Sequence, residues 1–171
     1  NPPCYNNKFV LTNPPYLARN KNTDKSIYDQ YNYNDLYKCF LKTLIDSTCM
    51  GGIIIIPLNF LCSIRKNDVE LRKLFFSKYK ILNINIFEER VFNDTTYSVC
   101  SFQFESCFEI SHIAINCIIY PSKIQTTLLF NEVNNFTIGG EIYNLPICKK
   151  YKISRATRFT TNKDCISNIL L

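Results

Sequence analysis

The stretch Ile53-Ile54-Ile55-Ile56 is apolar at every position. A strand with one wet face carries polar residues at alternate places, so this run predicts a central strand that helices cover on both faces. Pro57 ends the run, because a proline has no N–H to donate to a sheet ladder. Strands of this kind are typical of α/β proteins with mostly parallel sheets.

Apolar periodicity predicts one helix before that strand and another after it. Behind Asn34, a candidate N-cap, apolar residues recur at spacings of three and four, and Gly51-Gly52 is expected to close this helix. A capping-box pattern that begins at Asn67 predicts a second helix that reaches about Tyr79. Before both helices, the β-rich residues 8–12 predict a strand, and the polar residues 17–33 predict a long loop.

Alternating apolar and polar residues predict four further strands. Residues 80–87 and 97–104 are joined by a short link and are expected to pair antiparallel, whereas residues 112–120 and 125–130 are expected to form a hairpin. The order of elements predicts a doubly wound α/β sheet with an antiparallel strand near one edge and an extra C-terminal hairpin.

Composition excludes several classes of protein. The longest apolar run, residues 53–58, is far shorter than the roughly 20 residues of a membrane helix, and the polar start has no signal-peptide pattern, so no membrane partner is expected. Nine cysteines without a CxxC pair and the single His112 give no zinc-ligand spacing, so we expect no metal. An odd cysteine count favours reduced thiols and an intracellular location, either cytoplasmic or at a nucleoid or viral replication site.

Positive charge is concentrated in two parts of the chain. The net charge is +6, which permits a polyanionic partner without requiring one. Arg19 and Lys21 lie in the first polar stretch, and residues 149–163 contain six basic residues and no acid. A solvated face is the alternative explanation for each cluster. The basic residues of the tail are Lys149, Lys150, Lys152, Arg155, Arg158 and Lys163.

The motif Asn13-Pro14-Pro15-Tyr16 stands where a predicted strand ends, which is where open α/β sheets bind ligands. An exocyclic amine of a nucleobase is a poor nucleophile, because its lone pair is delocalised into the ring. The Asn13 side-chain carbonyl and the Pro14 main-chain carbonyl can accept the amine hydrogens and draw that lone pair out of the ring. The Tyr16 ring can stack on an unstacked base, so Tyr16→Phe is expected to be mild. A Pro-Pro turn with a chance aromatic is the alternative.

Residues 10–21, which include that motif, resemble the catalytic segment of the DNA adenine methyltransferases of type II restriction-modification systems, including viral relatives. Residues 34–37, 56–61, 97–102 and 138–143 also look like that family. The resemblance implies a Rossmann-like methyltransferase sheet, S-adenosylmethionine as cosubstrate, double-stranded DNA as partner, and methyl transfer to the exocyclic amine of adenine.

The same resemblance assigns roles to residues. Asn13, Pro14, Pro15 and Tyr16 would be catalytic, with Asn13 also near the cofactor. Phe102 or Phe104 would pack on the other face of the target base, with plain core packing as the alternative for each. Arg19 and Lys21 would contact DNA phosphates, together with the basic tail.

The glycine-rich cofactor turn of that family has no counterpart in this sequence, because Gly51-Gly52 and Gly139-Gly140 are wrongly placed. We therefore expect an N-terminal cofactor half to be missing, so that the isolated chain is inactive unless that half or a separate chain supplies it. Residues 1–108 would form the catalytic-loop half, and residues 109–171 additional strands and the start of a DNA-recognition region. The alternatives are methylation of a protein glutamine or an RNA base, and a non-catalytic DNA-binding remnant.

Overall fold

The structure, a computed structural model, describes residues 4–93, 97–107 and 112–139. Within these ranges six strands and four helices follow one another, with a 3₁₀ turn at Arg19–Lys21 before the first helix. The elements are β1 (Phe9–Thr12), α1 (Ser26–Tyr31), α2 (Leu36–Asp46), β2 (Gly51–Pro57), α3 (Asn59–Cys62), α4 (Lys66–Phe76), β3 (Tyr79–Phe87), β4 (Val99–Ser106), β5 (His112–Tyr120) and β6 (Ile124–Asn131).

All six strands form one mixed sheet in the order β1-β2-β4-β3-β5-β6. β1 pairs parallel with β2, β3 pairs parallel with β5, and β4 runs antiparallel between β2 and β3. The predicted antiparallel pairing of β3 with β4 is confirmed, and so is the C-terminal hairpin of β5 and β6. The expectation that β4 lies near an edge is wrong, because the hairpin extends the sheet beyond β3.

One face of the sheet carries the core. Ile54 and Ile56 of β2 point to this face and are 1% and 0% exposed. Apolar side chains of α2 and α4 pack on them in a single cluster with the aromatic residues of β4. Helices α2 and α4 therefore cover the same side of the sheet, as right-handed crossovers between strands added in one direction require.

The other face of β1 and β2 is open in the described part of the chain. Phe9 and Leu11 of β1 are 72% and 81% exposed, and Ile53, the register partner of Leu11, is 44% exposed. The prediction of helices on both faces of the isoleucine strand is therefore wrong for the residues that the structure describes. β1 is also an edge strand, so one side of its backbone pairs with no described strand.

Several local predictions are corrected. Residues 17–33 are not a plain loop, because α1 forms there around the buried Tyr28, whose hydroxyl donates to the Leu17 carbonyl at 3.0 Å. Gly51 and Gly52 do not end a helix but begin β2. A Cβ at Gly51 would lie 2.6 Å from the Phe104 carbonyl oxygen, so close strand pairing requires glycine there.

The helix ends also differ from the sequence prediction. Asp35, and not Asn34, occupies the N-cap position of α2. α4 begins at Lys66, which puts Asn67 inside the first turn, and it ends at Phe76, three residues before the predicted end.

A buried arginine fastens the segment after β6 to the helical layer. Arg72 of α4 is 0% exposed and donates to the carbonyl oxygens of Phe60, Ser63 and Asn135 at 2.7, 3.0 and 3.1 Å, and to the Thr137 hydroxyl. Burial lowers the pKa of Arg72 to about 10. Arg72 thus supplies hydrogen-bond donors to carbonyl groups in the helical layer and in the segment after β6. Without it, these carbonyl groups would need water as a donor.

Candidate functional site

The loop Asn13-Pro14-Pro15-Tyr16 leaves the carboxyl end of β1. Since β1 and β2 are parallel, the residues that follow β2 lie at the same edge of the sheet. The predicted position of the motif, at the end of a parallel strand, is confirmed by the structure. Ligands of open α/β sheets bind at this edge.

Tyr16 is held in place by its hydroxyl group. The hydroxyl oxygen lies 2.6 Å from Asn13 Oδ1 and 2.9 Å from the main-chain carbonyl oxygen of Ile55. A hydroxyl has a single hydrogen, which these two acceptors share. Burial raises the pKa of the Tyr16 phenol well above its ordinary value, so the group stays protonated at neutral pH.

Two aromatic rings flank Tyr16. The Tyr37 ring lies edge-on at a centroid distance of 6.3 Å, and the Phe92 ring lies at 6.0 Å with an interplanar angle of 68°. Phe92 belongs to the link between β3 and β4, and the sequence analysis did not select it. The signal that could have found it is topological, because β3 runs parallel to β2 and its carboxyl end returns to the same edge of the sheet.

Phe102 and Phe104 do not lie at this edge with a free face. They are 0% and 1% exposed, and Phe102 stacks on Phe60 at 6.0 Å while Phe104 packs edge-on against Phe75 at 5.5 Å. The expectation that one of them faces a target base is corrected. Both point to the helix-covered face of β4, so core packing accounts for them.

Two of the residues predicted to contact phosphates, Arg19 and Lys21, lie among the described residues. Lys21 is exposed, whereas the Arg19 guanidinium pairs with the Asp29 carboxylate at 2.5 Å. The basic tail of residues 149–163 lies outside the described residues.

A pocket of about 440 Å³ opens beside the Tyr16 loop, between the first turns of α2 and α4 and the end of β2. We call it the polar pocket. The residues that line it are Ala18, Asn34, Asp35, Tyr37, Lys38, Pro57, Asn59, Cys62, Ser63, Ile64, Arg65, Asp68 and Tyr97.

Charges in the wall of the polar pocket are largely paired with each other. The Lys38 ammonium donates to the Asp68 carboxylate in a buried ion pair and to Asn34 Oδ1 at 2.9 Å. Ser63 Oγ donates to the other Asp68 oxygen at 2.6 Å. These bonds fix the side chains of both first turns.

Asp35 is the exception in this wall. It is 6% exposed, and its Oδ1 accepts no hydrogen bond from the residues that the structure describes. Burial raises the pKa of its carboxyl group, although the N–H of Tyr37 and the charge of Lys38 act in the opposite direction. Its ionised form is therefore destabilised by the fold.

Gly51 and Gly52, the adjacent glycines among the described residues, do not form a glycine-rich cofactor turn. The cofactor turn expected of this chemistry needs glycine after a strand, whereas Gly51 and Gly52 lie inside β2 and are closed off by the neighbouring strands. Among the described residues, no group of three metal-ligating side chains could hold an ion, and no helix is long and apolar enough to cross a membrane.

Comparison with known proteins places this chain in a family. The sequence profile of the Eco57I restriction-modification methylases matches residues 6–92, just over half of the chain. The chain belongs to the Eco57I restriction-modification methylase family. The matched region runs from before β1 to Phe92, and it contains the Asn13 loop and twelve of the thirteen residues that line the polar pocket. Curated protein sequences give no significant match.

A solved structure of a restriction-modification protein shares the fold, and two others are similar over much of the chain. A modification subunit assigned to a type I restriction enzyme of Vibrio vulnificus YJ016 matches 80% of this chain with a TM-score of 0.52 and 14% identity. A structure of a type I restriction-modification system matches 80% of this chain, with a TM-score of 0.49 and 16% identity. The structure of the type IIL enzyme MmeI in complex with DNA matches 75% of this chain, with a TM-score of 0.46 and 14% identity. The chain spans 29%, 28% and 19% of the respective chains. At 14% identity, the first of these matches shows the fold alone.

Proposed function

We propose that this chain carries the catalytic loop of an S-adenosylmethionine-dependent methyltransferase that modifies the exocyclic amine of adenine in double-stranded DNA. The observation that carries the proposal is the Asn13-Pro14-Pro15-Tyr16 loop at the carboxyl end of β1, with Asn13 Oδ1 hydrogen-bonded to Tyr16. Membership in the restriction-modification methylase family supports methyl transfer to DNA.

The loop residues act on the target amine. Asn13 Oδ1 accepts one amine hydrogen and the Pro14 carbonyl oxygen accepts the other, so that the nitrogen lone pair is released from the ring. A carbonyl oxygen has two lone pairs, so Asn13 Oδ1 can keep its bond to Tyr16 while it accepts from the amine. S-adenosylmethionine is the methyl donor.

Aromatic side chains at the same edge receive the base. Tyr16 offers one ring face, and Phe92 stands beside it, so an adenine that leaves the duplex regains part of its lost stacking, worth about 1–3 kcal/mol per base. Phe92 takes the role that the sequence analysis gave to Phe102 or Phe104. Arg19, Lys21 and the basic tail contact phosphates, and this contribution weakens with salt.

A complementary part of the protein completes the site. It supplies the cofactor turn, pairs a strand with the open edge of β1, and covers Phe9 and Leu11. The exposed apolar face of β1 and β2 supports this proposal, and so does the small share of the matched subunit that the chain spans.

A non-catalytic DNA-binding role is the second candidate, because the described residues lack a glycine-rich cofactor turn. Incubation of the complete protein with radiolabelled S-adenosylmethionine, in parallel with duplex DNA, RNA and a glutamine-containing protein substrate, separates the possibilities. We expect label in DNA, recovered as N6-methyladenine. Label in RNA or protein alone would reassign the acceptor, and no transfer at all would favour the non-catalytic role.

A further inference from the structure

Residues 34–37, which resemble the methyltransferase family in sequence, have no part in the reaction proposed above. They lie at the start of α2, where Asp35 is the N-cap and Leu36 is the first residue of the helix. Their contacts lead to the loop that carries Asn13 and Tyr16.

Backbone hydrogen bonds join residues 34–37 to the chain that leaves this loop. The N–H of Arg19 donates to the Asn34 carbonyl oxygen at 2.9 Å, and the N–H of Leu36 donates to the Leu17 carbonyl oxygen at 3.0 Å. An isolated antiparallel bridge lies between these two bonds. The first turn of α2 is therefore tied directly to the end of the catalytic loop.

Tyr37 extends this connection with its side chain. Its ring lies edge-on to the Tyr16 ring, at a centroid distance of 6.3 Å and an interplanar angle of 88°. Tyr37 is 3% exposed and belongs to the core cluster, against which the partly buried Tyr16 packs. Tyr37 therefore contacts Tyr16 from the interior of the protein.

The Tyr37 ring is itself held by the helical layer. The Lys38 ammonium lies 5.8 Å from the centroid of this ring, a distance at which a cation is attracted to an aromatic face. Lys38 is held in turn by its buried ion pair with Asp68 of α4. The positions of α2 and α4 thus determine where the Tyr37 ring lies.

A neighbouring ring supplies a constraint that the hydroxyl group of Tyr16 cannot. The hydroxyl oxygen is hydrogen-bonded to Asn13 Oδ1 and to the Ile55 carbonyl oxygen, and it lies on the axis that runs from Cβ through the ring. The ring can turn about this axis without breaking either hydrogen bond. Such a turn would change the direction of the face on which the target base is proposed to stack. An edge-on ring at this distance restricts the turn.

We propose that Tyr37 is a positioning residue for the target-base site: its ring restricts rotation of the Tyr16 ring and so fixes the direction of the face that receives adenine. The inference rests on the proposed function, because it takes Tyr16 as the residue on which the base stacks. Phe92 flanks Tyr16 as well, but it lies in the link between β3 and β4. Of the two neighbours, Tyr37 is the one that a helix packed on the core holds in place.

Single-turnover methyl transfer by the complete protein, at saturating duplex DNA and S-adenosylmethionine, tests the role of Tyr37. Tyr37→Leu removes the ring and should lower the transfer rate about 3–10-fold, the loss expected for one aromatic pair. The affinity for S-adenosylmethionine should stay within about twofold of the wild-type value, because the loss concerns the orientation of the base. Tyr37→Phe keeps the ring and should retain a rate within about twofold of the wild type.

Phe76→Leu is the matched control, because it removes another buried ring from the helical layer. Phe76 is 1% exposed, and its ring packs on three phenylalanine rings, none of which pairs with Tyr16 in the described part of the chain. Both leucine variants should lose stability, since each leaves a cavity. At a temperature at which circular dichroism shows both proteins folded, only Tyr37→Leu should be slow. If Tyr37→Leu does not fold, Tyr37→Met, whose unbranched side chain fills irregular gaps, replaces it.

The effect of Tyr37 should depend on the Tyr16 ring. In a Tyr16→Ala background, Tyr37→Leu should cause no further loss of rate, because the ring that Tyr37 positions is gone. A wild-type rate in Tyr37→Leu, an equal loss in Phe76→Leu or in Tyr37→Phe, or an undiminished loss in the Tyr16→Ala background would overturn the role of Tyr37 alone. Absence of methyl transfer to DNA by the wild type would instead reject the proposed function, and this inference with it.

Discussion

Tyr16 contributes a hydroxyl group as well as a ring. The hydroxyl lies 2.6 Å from Asn13 Oδ1 and so helps to aim the carbonyl for which we propose a hydrogen bond to the target amine. The sequence motif predicts a role for the Tyr16 ring alone, because the four residue types do not show that the hydroxyl forms a hydrogen bond with Asn13. The structure therefore changes the expectation that Tyr16→Phe is mild.

We predict that Tyr16→Phe lowers the methyl-transfer rate about 2–13-fold, which corresponds to the roughly 0.5–1.5 kcal/mol of one hydrogen bond. Tyr16→Ala removes the stacking ring too and should cost at least a hundredfold. Single-turnover methylation of DNA by the complete protein measures both. A Tyr16→Phe rate equal to that of the wild type would show that the hydroxyl does not orient Asn13.

Asp35 links stability to pH. Its folded-state pKa is raised by burial, so the folded protein binds a proton more readily than the unfolded chain does. Ionised Asp35 therefore lowers the free energy of unfolding. This loss of stability is absent at pH values below the pKa of Asp35 in the unfolded chain, grows as the pH rises towards its pKa in the folded protein, and is fully present above that pKa. Lys38 and Asp68 face the same pocket and are paired with each other.

We predict that Asp35→Asn raises the melting temperature at pH 7, because the variant does not carry the charge that burial disfavours. The difference should shrink as pH falls through the folded pKa of Asp35. Thermal unfolding at pH 7 and pH 4 measures it, with Asp46→Asn as the control. A variant that is less stable than the wild type at pH 7 would contradict the direction of the pKa shift.

At the scale of elements, Arg72 fixes the turn between α3 and α4. Its guanidinium holds the carbonyl groups of Phe60 and Ser63, and residues on either side of this turn line the polar pocket. The same side chain holds Asn135 and Thr137, so the segment after β6 is fastened to this turn.

We predict that Arg72→Met lowers the free energy of unfolding by at least about 3 kcal/mol, because several buried acceptors lose their donor at about 1–3 kcal/mol each. Arg72→Lys should lie between this variant and the wild type, since lysine lacks the planar fork. Denaturant unfolding of both variants gives the values, and the exposed Arg65→Met is the control. Faster amide exchange of Ile138, which donates to the Leu61 carbonyl, should accompany the loss.

The elements that the sequence predicts well are those with a local signal. The alternation of β3 and β4, the helical period of α2 and the β5–β6 hairpin are confirmed, because each pattern reflects a single buried face. The short helix α1 depends on a tertiary contact, the burial of Tyr28. Its six residues are too few to show a helical period of apolar side chains, so the sequence did not predict it. Strand order is likewise non-local, so the sequence did not place β4 between β2 and β3, nor Phe92 beside Tyr16.

For the whole molecule, the open face of β1 and β2 decides how the chain behaves alone. Among the described residues, β1 has no strand on one side and exposes Phe9 and Leu11, and such an edge is a template for association. The complementary part that we propose would bury these side chains and supply the cofactor turn.

We predict that residues 1–171 expressed alone associate at micromolar concentration and do not bind S-adenosylmethionine measurably. Replacing both Phe9 and Leu11 by Ser should raise the monomeric fraction, whereas Leu129→Ser, at an exposed position of β6, should have a smaller effect. Light scattering measures association, and calorimetric titration measures cofactor binding. A micromolar binding isotherm for the isolated chain would show that its own residues hold the cofactor.

The role of Asn13 is tested most directly by methyl transfer to DNA by the complete protein and its Asn13→Ala variant, with Asn67→Ala as a control at an exposed position of α4. Loss of an acceptor needed in the transition state should lower the rate at least about 10²–10³-fold and leave DNA affinity within about threefold, as for other preorganised polar groups. Asn67→Ala should match the wild type. Equal rates of N6-methyladenine formation by the wild type and Asn13→Ala would contradict the assignment of this loop as the catalytic site.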